Sequence, residues 1–127
     1  MVSVVLDSSA VLAHLFEEPG GNFDPDLLFQ GLISTVNLAE VISRLVDRGA
    51  ARELFDLALK GLSANAMAFD AALAEAAGRL RESTRPLGLS LGDRACLALA
   101  IREKLPVLTA DQAWKNLDIG VEVRLIR

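Results

Sequence analysis

Cysteine and histidine are almost absent from this sequence. Its 127 residues include one cysteine, Cys96, and one histidine, His14. A single cysteine excludes an internal disulfide and fits a reducing compartment. One residue of each kind cannot supply the four nitrogen or sulfur ligands of a structural zinc site, and the same scarcity argues against a Ser-His-Asp or Cys-His enzyme. Because His14 lacks such partners, we expect it to be structural.

Tyrosine, long apolar runs and positive net charge are also lacking. With no tyrosine and 5% aromatic residues, base stacking cannot be the main mode of any nucleic-acid binding. No apolar run approaches the roughly 18 to 20 residues that a transmembrane helix needs, and no basic region precedes an apolar stretch at the N-terminus. We therefore expect a cytoplasmic protein that is not bound to a membrane. The net charge of −4 is unlike the basic footprint of many nucleic-acid binders, although a local basic face can coexist with it.

What the chain does contain is typical of a compact globular protein, with 52% hydrophobic and 24% charged residues. Its length suits one core, so we predict a single domain over residues 1–127. Apolar runs alternate with helical patterns, which predicts an α/β fold with a mostly parallel sheet covered on both faces. The predicted strands are 3–7, 32–36, 62–67 (a weak pattern), 107–109 and 121–126.

The clearest amphipathic stripe in the chain predicts a helix that ends at Gly49. The helix that follows it would complete a helical hairpin. Residues 17–25 contain two prolines and two glycines and predict a loop. A short helix is also expected to open at Asp111. The predicted helices are 10–16, the stripe formed by Leu38, Val41, Ile42, Leu45 and Val46, and then 51–60, 70–82 and 92–104, the last with Cys96, Leu97, Ala100 and Ile101 on one face.

Four acids lie where a strand pattern changes to a helix pattern: Asp7, Glu40, Asp93 and Asp111. Ligands of open α/β sheets bind outside the carboxyl ends of the strands. Four carboxylates that converge on that edge would repel one another unless a cation lies between them. Oxygen ligands are those that Mg²⁺ and Mn²⁺ prefer. The pattern therefore predicts a divalent metal and chemistry on phosphates.

Each acid also has an ordinary structural interpretation, since helix starts attract acids. Asp93 follows Ser90 at the spacing of a capping box, and Glu40 follows Asn37 at the same spacing. The first and last acids of the set would be N-caps. However, Ser, Thr and Asn cap as well as Asp does, so capping alone does not explain an acid at every junction.

Neighbouring hydroxyls and one tryptophan carry weaker signals. Thr109 could hydrogen-bond a carboxylate or water, or could be an ordinary buried strand residue. Ser8 and Ser9 could orient Asp7 or cap the first helix. Trp114 is expected to pack against the sheet edge.

Arginines form two modest groups. Glu40 precedes Arg44 and Arg48 at spacings that allow an ordinary surface ion-pair ladder. Either group could track a phosphate backbone, and a solvated helix face is the simpler interpretation. The groups are Arg44, Arg48 and Arg52 on the hairpin, and Arg79, Arg81 and Arg85 on the alanine-rich helix.

Four motifs in this order resemble those of PIN-domain ribonucleases, and most of all the toxin halves of VapBC toxin–antitoxin pairs. No single motif is specific, but the set covers nearly the whole chain and includes Gly-Asp-Arg-Ala-Cys-Leu-Ala-Leu-Ala. The motifs are Leu-Asp-Ser-Ser-Ala at 6–10, Asn-Leu-Ala-Glu-Val at 37–41, residues 91–100 and Leu-Thr-Ala-Asp-Gln-Ala-Trp at 108–114.

The resemblance implies a PIN-like three-layer α/β/α domain whose acids hold Mg²⁺ or Mn²⁺. Asp7 and Asp93 would bind the metal directly, while Glu40 and Asp111 would either bind it or act through water. Thr109 matches the supporting hydroxyl of the family. The implied reaction is hydrolysis of an RNA phosphodiester by metal-activated water. The implied partners are RNA, a second copy of the chain in a homodimer, and a small cognate antitoxin.

A second hypothesis is a non-catalytic module that binds RNA or a partner. Its acids would be caps or a structural or regulatory acidic cluster, and it would act by occupancy. An acid-to-amide change that left function untouched would favour it.

Overall fold

A computed structural model of the protein describes residues 4–127, so Ser3 of the first predicted strand lies outside the described residues. Strands and helices alternate along the chain. The strands are β1 (Val5–Leu6), β2 (Ile33–Ser34), β3 (Ala66–Met67), β4 (Val107–Thr109) and β5 (Val123–Leu125). The helices are α1 (Ser8–Leu15), α2 (Pro25–Gln30), α3 (Thr35–Asp47), α4 (Arg52–Ser63), α5 (Ala71–Thr84) and α6 (Leu91–Glu103), with 3₁₀ helices at Arg85–Leu87 and Gln112–Asn116.

The sheet has the spatial order β3-β2-β1-β4-β5, and every strand pair within residues 4–127 is parallel. β1 pairs with β4, with Val5 opposite Val107. On its other side β1 meets the chain just before β2, where Leu6 N donates to Leu32 O at 2.8 Å and Leu32 N donates to Val4 O at 3.0 Å. β1 is therefore the central strand, and its carboxyl end is the middle of that edge of the sheet. The predicted mostly parallel sheet is confirmed.

Side-chain alternation along the short strands divides the core between the two faces of the sheet. Val4, Leu6 and Leu108 pack with residues of α1, α3 and α4 on one face. Val5 and Val107 pack with residues of α5 and α6 on the other face. The α/β/α layering is confirmed, because both faces of the sheet are covered by helices.

The predicted helical hairpin is α3 and α4, joined at Gly49, whose φ of 59° suits glycine. The amphipathic stripe of α3 is correct at Val41 and Leu45, which are buried. It is wrong at Val46, which is 64% exposed. The buried stripe is narrower than predicted because Val46 lies outside the surface that α3 packs against α1, α4, α6 and the sheet.

α6 is buried over most of its length. Residues 95–100 are all at most 2% exposed, which is unusual for a helix that covers a sheet. α6 contacts α5 and α3 as well as strands β1, β2 and β4, so its sides are covered too. The predicted buried face is wrong at Ile101, which is 40% exposed near the C-terminal end of the helix.

Two differences from the predicted elements lie between β1 and α3. α2 was not predicted; it begins with Pro25 after Asp24, whose side chain accepts a hydrogen bond from Asp26 N at 2.9 Å. The second strand is shorter than predicted because Ser34 is the N-cap of α3 and accepts from Val36 N at 3.2 Å. None of the helices within residues 4–127 is both long and apolar enough to cross a membrane.

The neighbouring residues Leu45 and Val46 provide a matched test of the packing of α3. Leu45→Ala removes a fully buried side chain and should lower the free energy of unfolding by about 2 to 5 kcal/mol. Val46→Ala truncates an exposed one and should change it by no more than about 0.5 kcal/mol. Urea denaturation followed by circular dichroism measures both. Equal losses for the two variants would contradict the described orientation of the helix.

Candidate active site

Asp7 lies at the carboxyl end of the central strand β1 and is 3% exposed. It occupies the N-cap position of α1, yet its side chain forms no capping hydrogen bond. Its Oδ2 instead accepts hydrogen bonds from Thr109 Oγ1 at 2.7 Å and from Ser9 Oγ. The capping interpretation of Asp7 is therefore wrong, because the carboxylate turns towards the sheet edge and away from the helix.

The two hydroxyls that hold Asp7 also tie β1 to β4. Thr109 is completely buried, and its Oγ1 accepts from Asp111 N at 3.0 Å. Ser9 Oγ accepts from Ala110 N at 3.0 Å. Thr109 and Ser9 therefore both hydrogen-bond the Asp7 carboxylate and the backbone that follows β4.

Glu40 lies on the second turn of α3 with its carboxylate turned towards α1 and α6. Ser8 Oγ donates to Glu40 Oε1 at 3.0 Å, and Asn37 Nδ2 donates to the same oxygen at 2.9 Å. The predicted ion-pair ladder with Arg44 and Arg48 is wrong: within residues 4–127 neither arginine forms a salt bridge with Glu40. Glu40 is therefore held by neutral donors.

Asn37 is a residue whose role the sequence interpretation missed. The Asn37–Glu40 spacing suggested a capping box, but the N-cap of α3 is Ser34. Asn37 is fully buried, and its Nδ2 also donates to Gly92 O at 3.0 Å. It links α3 to the first turn of α6. The i, i+3 spacing that places both side chains on one helix face was the available signal.

Gly92 allows this close approach. A Cβ at residue 92 would clash with Glu40 Oε2, so the carboxylate rests directly on the backbone of α6. Glycine is needed here for space, since its φ is not in the left-handed region.

The two remaining acids do cap helices. Ser90 and Asp93 form a complete capping box at the start of α6, with Ser90 N donating to Asp93 Oδ2 at 2.9 Å. Asp111 Oδ1 accepts from Ala113 N at 3.0 Å at the start of the 3₁₀ helix. Asp111 is connected to Asp7 through Thr109, whose hydroxyl donates to the Asp7 carboxylate and accepts from the Asp111 backbone N–H. Within the described residues the two carboxylates themselves share no hydrogen bond.

Three of the four acids, Asp7, Asp93 and Glu40, are close enough for their charges to affect the pKa of Asp7. The pKa of Asp7 is raised to about 6, mainly by burial; the hydrogen bonds from Ser9 and Thr109 oppose the rise, and the charges of Asp93 and Glu40 contribute to it. No salt bridge within residues 4–127 includes any of the four acids. Their mutual repulsion is therefore not offset by a basic side chain.

Cys96 lies one turn after Asp93 and is fully buried. Burial raises the pKa of its thiol, and the charges of Asp7, Asp93 and Glu40 add to the effect. Full burial and a raised pKa both disfavour the reactive thiolate form of this side chain.

The carboxylate oxygens at and near Asp7 are the type of ligand that a hard divalent cation prefers. Carboxylate oxygens are what Mg²⁺ and Mn²⁺ take, and such ions keep several waters while binding one or two carboxylates. Within residues 4–127 no three His, Cys, Asp or Glu side chains are already grouped as a metal site. Asp7 with Asp93, and Glu40 beside them, would hold the ion together with water and not as a closed cage.

The remaining predicted residues are structural. The His14 Nδ1 lies 2.9 Å from Gly21 O, and its ring lies 5.1 Å from that of Phe23. Trp114 is fully buried in the core on the α5 and α6 face. Both expectations are confirmed.

A parallel α/β/α sheet with acids around the end of its central strand is the arrangement that the sequence motifs led us to expect. The family model for the PIN domain matches residues 4–120. The chain therefore belongs to the PIN-domain family.

Solved structures with the same fold include three from toxin–antitoxin systems, each less than 30% identical to this chain. One is a toxin–antitoxin complex from Klebsiella pneumoniae, with 19% identity and a TM-score of 0.75 over 98% of each chain. Another is DNA-bound VapBC from Salmonella typhimurium, with 16% identity and a TM-score of 0.75 over 100% of each chain. VapBC-5 from Mycobacterium tuberculosis is 27% identical, with a TM-score of 0.60, over 99% of this chain and 98% of that one. No curated protein sequence matches this chain significantly.

The raised pKa of Asp7 predicts a particular dependence of stability on pH without metal. Above about pH 4 the unfolded chain ionises at Asp7 while the folded chain keeps the proton, so stability falls until the folded group ionises near pH 6. Asp7→Asn should remove this loss and gain about 2 to 3 kcal/mol at pH 8 relative to pH 4. Thermal unfolding in EDTA at both pH values measures it, with exposed Asp118→Asn as control. An equal gain in both variants would contradict the burial effect.

Asn37 should affect metal binding by holding Glu40. Asn37→Ala should weaken Mn²⁺ binding by about tenfold, as loss of a group that orients a ligand commonly does. Asn65→Ala is the matched control, because Asn65 Nδ2 also donates to a backbone carbonyl, Phe29 O, at 2.8 Å on another part of the fold. Calorimetric titration measures binding and urea denaturation measures stability. Unchanged Mn²⁺ affinity in Asn37→Ala would make that residue purely structural.

Proposed function

We propose that this chain is a metal-dependent endoribonuclease that hydrolyses RNA phosphodiester bonds and acts as the toxin of a toxin–antitoxin pair. The observation that carries the proposal is the buried Asp7 carboxylate at the end of the central strand. It makes no capping bond, and Asp93 and Glu40 act on it with like charge. Burying a carboxylate near two like charges costs folding free energy, and a bound cation would offset that cost.

In this proposal Asp7 and Asp93 bind Mg²⁺ or Mn²⁺ directly, while Glu40 and Asp111 either bind it or act through water. When bound, the metal supplies activated water and offsets charge on the phosphate. The protein's own contribution is orientation. Ser9 and Thr109 hold the Asp7 oxygen, and Asn37 with Ser8 holds the Glu40 oxygen, so these carboxylates keep their positions without the metal.

The proposed partners follow the family. The similar structures from Klebsiella pneumoniae, Salmonella typhimurium and Mycobacterium tuberculosis are toxin–antitoxin or VapBC proteins, which supports a cognate antitoxin that neutralises this chain. RNA as the substrate, the homodimer, the single domain and the cytoplasmic location remain predictions.

The non-catalytic alternative has one observation in its favour. Asp93 and Asp111 serve as helix caps, which alone would account for an acid at those two junctions. It does not account for Asp7 and Glu40, whose carboxylates cap nothing and are held by side-chain donors.

A cleavage assay on total cellular RNA distinguishes the two. Wild-type protein with Mg²⁺ or Mn²⁺ should produce discrete fragments, and EDTA should abolish them. Asp7→Asn and Asp93→Asn should lower the rate by about 100-fold or more, because each removes a proposed metal ligand.

Asp118→Asn, an exposed acid elsewhere in the fold, is the control and should cleave as wild type does. Fragments that persist in Asp7→Asn would contradict the assignment of that residue. An absence of fragments, with all the proteins binding RNA equally, would favour the binding module.

A further inference from the structure

A cleft of about 660 Å³ lies between α1 and α3. Its lining includes Glu40 and the two serines that follow Asp7, Ser8 and Ser9. Arg44, one helical turn after Glu40, lines the same cleft, as do Arg48 and Arg127. The size is within the range of ligand sites, about 300 to 1,000 Å³. A chain bound at the acids would therefore have a continuous path along the protein surface.

Arg44 is the least compensated of these three cations. It follows Glu40 by one helical turn, but the Glu40 carboxylate is engaged by Ser8 and Asn37. Within residues 4–127 the guanidinium of Arg44 forms neither a hydrogen bond nor a salt bridge. A free guanidinium beside a site that holds an anionic substrate is available for a phosphate of that substrate.

Two further arginines line the same cleft. Arg48 and Arg127 share the single carboxylate of Glu18, at 3.3 Å and 3.8 Å. The Arg48 guanidinium is further fixed over the ring of Phe16, 4.2 Å from its centroid. Three arginines thus face two glutamates along this cleft in a chain whose net charge is −4.

Part of the cleft lining is apolar. Leu12, Val36 and Ala39 contribute to it from α1 and α3. Guanidinium groups next to apolar side chains suit unpaired nucleotides, which present phosphates on one side and flat base faces on the other. In a duplex the bases are stacked and paired, so only its phosphates would interact with this cleft, through the arginines.

We propose that this cleft binds the single-stranded RNA segment adjoining the scissile phosphate, with Arg44 contacting a backbone phosphate. The inference rests on the proposed nuclease function, and charge supports it. The acid cluster repels phosphates, so affinity for RNA must come from neighbouring cations. Arg44 is the unpaired cation nearest in sequence to a cluster acid that also lines the cleft.

Binding and cleavage are measured separately. Fluorescence anisotropy of a labelled oligouridine is followed in EDTA on the Asp7→Asn background, over a series of salt concentrations. Arg44→Gln should weaken binding by about threefold to tenfold and reduce the slope of log affinity against log salt by about 0.7, the value for one phosphate contact on a single strand. Arg44→Lys keeps the charge and should keep the slope.

Arg52→Gln is the matched control, since Arg52 lies on α4 outside the cleft and pairs with Asp56 at 3.6 Å on an exposed face. Its salt slope should equal that of the parent protein. In metal-dependent cleavage by the otherwise wild-type protein, Arg44→Gln should raise KM more than it lowers kcat.

The outcomes separate the two proposals. An unchanged slope in Arg44→Gln, with cleavage by the wild type intact, overturns the cleft assignment and leaves the nuclease function standing. A reduced slope with no cleavage under any metal supports the cleft and overturns the nuclease. An unchanged slope together with loss of a co-purified small protein in Arg44→Gln would assign the cleft to a protein partner and overturn the RNA assignment.

Discussion

The buried carboxylate of Asp7 is the constraint on which the rest of the site depends. It lies at the end of the central strand, is almost inaccessible, and has two like charges acting on it. Burying such a group costs folding free energy unless something satisfies it. Ser9 and Thr109 supply hydrogen bonds, and Thr109 also accepts from the backbone of Asp111. The short strands β1 and β4 are therefore tied to each other at the Asp7 carboxylate.

The Glu40 carboxylate accepts hydrogen bonds from neutral side chains and does not pair with the nearby cation Arg44. Because Ser8 and Asn37 hold its carboxylate, Glu40 does not neutralise Arg44 one turn later. An ordinary exposed ion pair on α3 would have contributed little to stability, on the order of 0.5 kcal/mol. Because this pair is not formed, the Arg44 guanidinium stays free of the Glu40 carboxylate although both residues line the same cleft. Gly92 permits this arrangement because it has no side chain in the way.

The fold was largely predictable from the sequence, since apolar runs and helical stripes specify which residues need burial. The errors have identifiable causes. α2 was missed, although Asp24 and Pro25 are an ordinary helix start, because the surrounding glycines and prolines suggested a loop. Ile101 was assigned to a buried face that ends one residue earlier. Exposure at the margin of a helix depends on its neighbours, which a single sequence does not specify.

For the site, the sequence by itself placed Asp7 and Asp111 after the strands β1 and β4, and the order of four motifs indicated the PIN-domain family. Chain direction explains this, because parallel strands bring their carboxyl ends to one edge. Only the tertiary structure decided the role of each carboxylate. Asp93 and Asp111 cap helices, whereas Asp7 and Glu40 turn to donors from other elements. Capping is a contact within a few residues that spacing can suggest, while the bonds from Thr109 to Asp7 and from Asn37 to Gly92 cross 102 and 55 residues and form only when the helices pack.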